Sequence, residues 1–147
     1  MPGYTDKHAK SGLGVKLPKL EVFPSQFKQY EISISYPEFT SICPKTELPD
    51  FGTIHVQYGP HQLCLELKAL KLYLLAYRNV GIFYENVINR VLEDCVKACK
   101  PQWMVVTGFF NARGGMIGRA RVQYGIVPAT ILSTAVLGVS QTESTLL

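Results

Sequence analysis

The sequence predicts an α+β layer, an antiparallel sheet with two helices in the middle of the chain, in the order ββααββ. Three observations carry this. Apolar residues alternate with polar ones at Ile32, Ile34 and Tyr36 and again at Ile54, Val56 and Tyr58. From Leu65 to Cys95 the apolar period changes to three- and four-residue steps, and two further strand-like runs follow Pro101.

Taken in order, residues 1–27 mix Gly, Pro and Lys without sustained periodicity and read as an N-terminal arm, a loose lead-in. The first strand starts near Tyr30. A stiff loop from Phe39 to Phe51 follows, and the second strand ends at Gly59-Pro60. The first helix carries Leu67, Leu70, Leu74 and Tyr77 on one stripe and closes at Asn79 and Gly81, both suited to a helix end. The second helix aligns Phe83, Val87, Val91 and Cys95, with Pro101 just beyond its end. Strands over Trp103–Phe110 and Met116–Tyr124, joined by the turn Asn111-Ala112-Arg113-Gly114-Gly115, complete the set. Four strands leave open sheet edges that invite pairing with other subunits. Residues 127–147 form a tail with no clear register and no assigned structure.

A chain of 147 residues fits one domain with a single core, and an apolar share of 47% is neither fibrous nor disordered. Net charge is +4 with the cations spread along the chain, so no nucleic-acid footprint is expected. The start lacks the apolar region of a signal peptide, and the longest apolar stretch, residues 129–139, is too short to span a bilayer. A cytoplasmic protein is expected. In a reducing compartment Cys43, Cys64, Cys95 and Cys99 are then free thiols. Cys95 and Cys99 are spaced i, i+4 on a helix, but no His or Cys cluster completes a tetrahedral site. Helix packing is the expected role, and no metal is expected.

Several segments bear chemistry. Cys43 precedes Asp50 by seven residues with Pro44 and Pro49 between them, so a nucleophile and a proton donor sit on one restricted segment. The thiol is expected to be partly exposed; a small buried hydrophobe and a turn residue are the plain alternative. Lys68 and Lys71 project from neighbouring positions of the first helix, where two cations can hold a phosphate or form a solvated face. Glu85 lies in the first turn of the second helix, where it either favours the helix dipole or accepts N–H donors of a guanine-like ring. Gly12-Leu13-Gly14 lacks the third glycine of a dinucleotide fingerprint and follows no strand, so any nicotinamide cofactor would be held without a Rossmann fold.

Together these segments resemble the 7-cyano-7-deazaguanine reductases of the single-module QueF type, nitrile reductases of the queuosine tRNA pathway. The resemblance runs from about Phe23 to Gly115. It rests on Pro37-Glu38-Phe39-Thr40-Ser41-Ile42-Cys43-Pro44-Lys45-Thr46, Pro49-Asp50-Phe51, Glu66-Leu67-Lys68-Ala69-Leu70-Lys71-Leu72-Tyr73, Tyr77-Arg78-Asn79 and Arg113-Gly114-Gly115. It implies a tunnel fold over residues 28–126, with two helices on one face of the sheet and subunits joined edge to edge into a homo-oligomeric barrel with sites at the seams. It further implies Cys43 as nucleophile and Asp50 as acid/base, Glu66, Glu85 and Tyr84 at the deazaguanine, and Lys68, Ala69, Lys71, Arg113 and Gly114 at NADPH. Two positions depart from the family pattern. Tyr84 stands where the family often has His, and Glu47 where it commonly has glycine.

The reaction implied is reduction of the nitrile of 7-cyano-7-deazaguanine to the aminomethyl group with two NADPH, through a thioimidate on Cys43. Two rivals are a tunnel-fold amidinotransferase acting on the nitrile in tRNA, which would not need NADPH, and a non-catalytic purine- or pterin-binding assembly protein. The Lys68/Lys71 pair argues against the first and the Cys43/Asp50 pair against the second.

Overall fold

The computed structural model describes residues 3–131. The alternating segments become β2 (Ile32–Ile42) and β3 (Pro49–Gly59), preceded by a one-turn helix α1 (Asp6–Ala9) and a short strand β1 (Val22–Pro24). Then come β4 (Leu63–Leu65), α2 (Leu67–Leu75), a 3-10 turn (Ala76–Asn79), α3 (Tyr84–Cys99), β5 (Trp103–Arg113) and β6 (Met116–Gly125). Four strands pair antiparallel in the order β2-β3-β5-β6, and β1 pairs with β4 as a separate ribbon.

Both helices lie on one face because the period-2 pattern aims one alternate set of apolar residues in β2, β3, β5 and β6 to that side. Ile54, Val56 and Tyr58 of β3 align with Gly108, Val106 and Met104 of β5. They pack with Leu70 and Leu74 of α2 and Val87, Val91 and Cys95 of α3, every one of these side chains at most 2% exposed. At roughly 1.5–3 kcal/mol for each large apolar side chain buried, this layer holds the fold. Cys95 and Cys99 belong to it, with free thiols as expected. No metal-holding group of three or more ligands occurs among the described residues.

The opposite face is polar toward β2, where His55 bridges the hydroxyls of Ser33 at 2.9 Å and Ser35 at 2.8 Å. Toward the Trp103 end, Val127 and Ile131 pack on Trp103 and Val105. The tail expected over residues 127–147 thus has its first residues against the sheet; the rest lies outside the described residues.

Three local readings change. β2 runs on through Pro37 to Ile42, since an irregularity between Tyr36 and Phe39 takes up the proline that cannot donate to the ladder. Asp50 is consequently not on a loop but in β3, opposite Ser41, and the loop shrinks to residues 43–48. The lead-in is not loose, for residues 4–24 carry α1 and β1 and several contacts to α3. β5 reaches Arg113, and the hairpin closes on Gly114 (φ 57°) and Gly115 (φ 83°), the pair of positive dihedrals that a two-residue type I′ turn requires. No helix among the described residues is long and apolar enough to cross a membrane.

Candidate active site

Cys43 follows the last residue of β2, and its turn is closed twice: its N–H donates to the Leu48 carbonyl and its carbonyl accepts from the Glu47 N–H, both at 2.9 Å. Glu47 sits at φ 61°, a left-handed conformation that glycine adopts at least cost. The thiol is 7% exposed, more enclosed than the partly exposed nucleophile expected. Burial raises its pKa, but the Thr46 hydroxyl, the backbone N–H groups of Thr46 and Lys45, and Arg113 outweigh that and leave it below the ordinary thiol value. These donors favour the sulfur as a thiolate.

Asp50 is buried at the start of β3 and accepts from the Arg113 guanidinium at the end of β5. Two strands that are neighbours in the sheet thus bring the pair together from positions 63 residues apart. The carboxylate in turn holds the guanidinium firmly protonated. Tyr84, the first residue of α3, stacks on Phe110 with ring centroids 3.7 Å apart and planes 9° from parallel. Its buried hydroxyl faces Asp50 and Arg113 without closing a hydrogen bond to either. Burial and then Asp50 raise the phenol's pKa, so it stays neutral at physiological pH. Glu85 is exposed in the first turn of the same helix.

Cys43, Asp50, Tyr84, Glu85, Arg113 and Gly114 therefore gather at one end of the sheet. Glu66, Lys68, Ala69 and Lys71 do not. The Leu65 N–H donates to the Tyr58 hydroxyl at 2.9 Å, so the start of α2 lies at the far end of β3 from Asp50. Tyr58 is eight steps along the strand from Asp50, about 26 Å at the usual rise. Glu66 caps α2, its two oxygens each accepting at 2.8 Å from the N–H groups of Lys68 and Ala69. Those donors lower its pKa and keep it ionised. The Ala69 N–H is thereby committed within the helix, while the side chains of Lys68 and Lys71 are exposed and, among the described residues, in no ion pair within 4.0 Å. Two exposed ammonium groups i, i+3 apart fit the phosphates of a dinucleotide.

Reasoning from the sequence missed Ser41, fully buried opposite Asp50 with a hydroxyl that has no partner. It also missed that Arg113 reaches Asp50, a contact that depends on strand register and leaves no local signal.

The family model of the QueF-like proteins matches residues 49–127. The NADPH-dependent 7-cyano-7-deazaguanine reductase of Elusimicrobium minutum (strain Pei191) is 57% identical over 115 residues, 78% of this chain and 87% of that protein. The reductase of the same name from Chlorobaculum tepidum is 54% identical over 107 residues, 71% of this chain and 92% of that protein. Among solved structures, the archaeosine synthase QueF-Like in the apo form matches with a TM-score of 0.61 at 22% identity, covering 71% of this chain and 100% of that one. At that identity the likeness speaks to the fold, and it bears out the tunnel-fold class.

Proposed function

The chain belongs to the QueF-like family of NADPH-dependent 7-cyano-7-deazaguanine reductases, and from that premise we propose that it reduces the nitrile of 7-cyano-7-deazaguanine to an aminomethyl group. The product, 7-aminomethyl-7-deazaguanine, would enter queuosine biosynthesis in the cytoplasm. The observation that carries the reading is the thiol of Cys43, biased toward thiolate and set at the same end of the sheet as Asp50.

In the proposed mechanism Asp50, as a carboxylate, takes the Cys43 proton while sulfur attacks the nitrile carbon. One C–S bond forms, one π bond of the nitrile opens, and the proton passes from Asp50 to nitrogen, giving a thioimidate on Cys43. When the C–S bond later breaks, the Thr46 hydroxyl and the backbone N–H groups of the turn receive the charge on the leaving sulfur. Tyr84, neutral and stacked on Phe110, bounds the space above the pair, and Glu85 accepts N–H donors of the deazaguanine. NADPH, when bound, supplies hydride, and a four-electron change from nitrile to amine consumes two equivalents. Lys68 and Lys71 would hold its phosphates.

The length of β3 from Asp50 to Tyr58, about 26 Å, with the start of α2 held at the Tyr58 end, supports a site completed by a second copy of the chain. β2 and β6, of 11 and 10 residues, are the edges available for such pairing. The deciding experiment mixes the protein with 7-cyano-7-deazaguanine and NADPH and measures cofactor consumed per amine formed. A ratio near two supports the reductase. Nitrile consumption without NADPH oxidation would mark an amidinotransferase-type reaction, and no reaction a binding protein.

A further inference from the structure

The contacts of the N-terminal segment converge on the few residues that lead into α3. Asn86 Nδ2 donates to the Ala9 carbonyl and Ser11 Oγ to the Gly81 carbonyl, both at 2.6 Å. Arg90 donates through Nη1 to the Gly12 carbonyl at 2.7 Å and through Nη2 to the Val15 carbonyl. Its Nε lies 3.4 Å from Asp94, which accepts the Tyr73 hydroxyl at 2.5 Å, so the clasp is anchored through both helices. Gly12 lies at φ 82°, and a Cβ there would stand 2.7 Å from Ile82 Cβ and 2.8 Å from the Gly81 carbonyl. At the front, the Tyr4 ring packs on Phe83 at 5.6 Å, and the Lys45 ammonium from the Cys43 turn sits 5.4 Å from the centre of the same ring. On the other side of this segment, Ile42 donates to the Val80 carbonyl and Ile82 to the Ile42 carbonyl, both at 2.9 Å.

Gly81–Phe83 is thus sandwiched between residues 4–15 and Ile42, the last residue of β2 before Cys43. We infer that residues 4–15 are a strap that fixes the distance between the Cys43 turn and the Tyr84–Glu85 start of α3. Ser11, Gly12, Asn86 and Arg90 are its positioning residues. The consequence for function rests on the reductase reading above: the strap sets affinity for the nitrile heterocycle and leaves the phosphate-binding Lys68 and Lys71 untouched, because α2 begins at the far end of the sheet. A glycine at Gly12, whose positive φ and close approach to a fully buried Ile82 leave no room for a side chain, is what a close-fitting clasp needs, and a solvated arm has no use for it.

The test uses the full chain in two variants, Ser11→Ala with Asn86→Ala, which removes two clasps, and Gly12→Ala, which pushes the strap off Ile82. Hydrogen exchange is read at the amides of Ile82, Asn86 and Val87, each hydrogen-bonded in the clasped segment, and KM is measured separately for 7-cyano-7-deazaguanine and NADPH. We expect exchange at those amides to quicken roughly tenfold while β5 amides stay protected. The nitrile KM should rise roughly tenfold, with kcat and the NADPH KM within about twofold of the parent. Unchanged exchange in both variants overturns the strap whatever reaction the site performs, and an equal rise of both KM values overturns its positioning role. The parent protein separates the two readings, since absence of nitrile reduction there counts against the reductase alone.

Discussion

Arg113 closes an ion pair on Asp50 across the β3–β5 seam, and the same guanidinium is among the groups that lower the Cys43 pKa, so one cation serves both groups assigned to the chemistry. A lowered thiol pKa means more thiolate at a given pH. Iodoacetamide should therefore alkylate Cys43 ahead of Cys64, Cys95 and Cys99, with a pH midpoint below the ordinary thiol value; burial pushes Cys99 the other way, up to about 12. Arg113→Met should move the Cys43 midpoint upward and slow alkylation at neutral pH by about tenfold per unit moved. Arg113→Lys should restore part of it. An unmoved midpoint in Arg113→Met would remove Arg113 from the activation of the thiol.

Cys43→Ser should form no covalent adduct and show no turnover, because a hydroxyl is scarcely ionised where the thiol is. Intact-mass measurement without NADPH should find the parent protein heavier by one substrate and the variant unchanged. An adduct on Cys43→Ser would move the nucleophile elsewhere.

Lys68→Ala with Lys71→Ala should raise the NADPH KM by roughly tenfold or more while the nitrile adduct still forms at the parental rate, given point-charge binding of phosphate at the far end of the sheet. Equal loss of both functions would defeat this division of labour.

Tyr84→Phe keeps the stack on Phe110 and removes a buried hydroxyl that has no partner, so stability should hold or rise by up to about 1 kcal/mol. Adduct formation should stay within about threefold of the parent, since a phenol kept neutral by burial is a poor proton source. A collapse of adduct formation in Tyr84→Phe would make the hydroxyl a catalytic donor.

Glu47→Gly should relieve the left-handed strain in the Cys43 turn and raise stability by about 0.5–1 kcal/mol, or roughly 1–4 °C in Tm. A fall in Tm would show that the Glu47 side chain makes a compensating contact.

The strands and helices were legible because each carries its own period: Ile32-Ile34-Tyr36 and Ile54-Val56-Tyr58 at two, Val87-Val91-Cys95 at nearly four. The candidate site was legible as a set of motifs, since Cys43 and Asp50 flanking two prolines, and Lys68 with Lys71, are local patterns. What the sequence could not convey was which motifs meet. The β3–β5 register brings Arg113 to Asp50 and the path of α2 carries Lys68 away from Cys43; both follow from pairings between distant residues, whose geometry no local period encodes. The same holds for residues 4–15. They have no apolar stripe to announce a structure, and their order comes from hydrogen bonds that Ser11, Asn86 and Arg90 donate to backbone carbonyls, contacts that exist only once α3 has packed on the sheet.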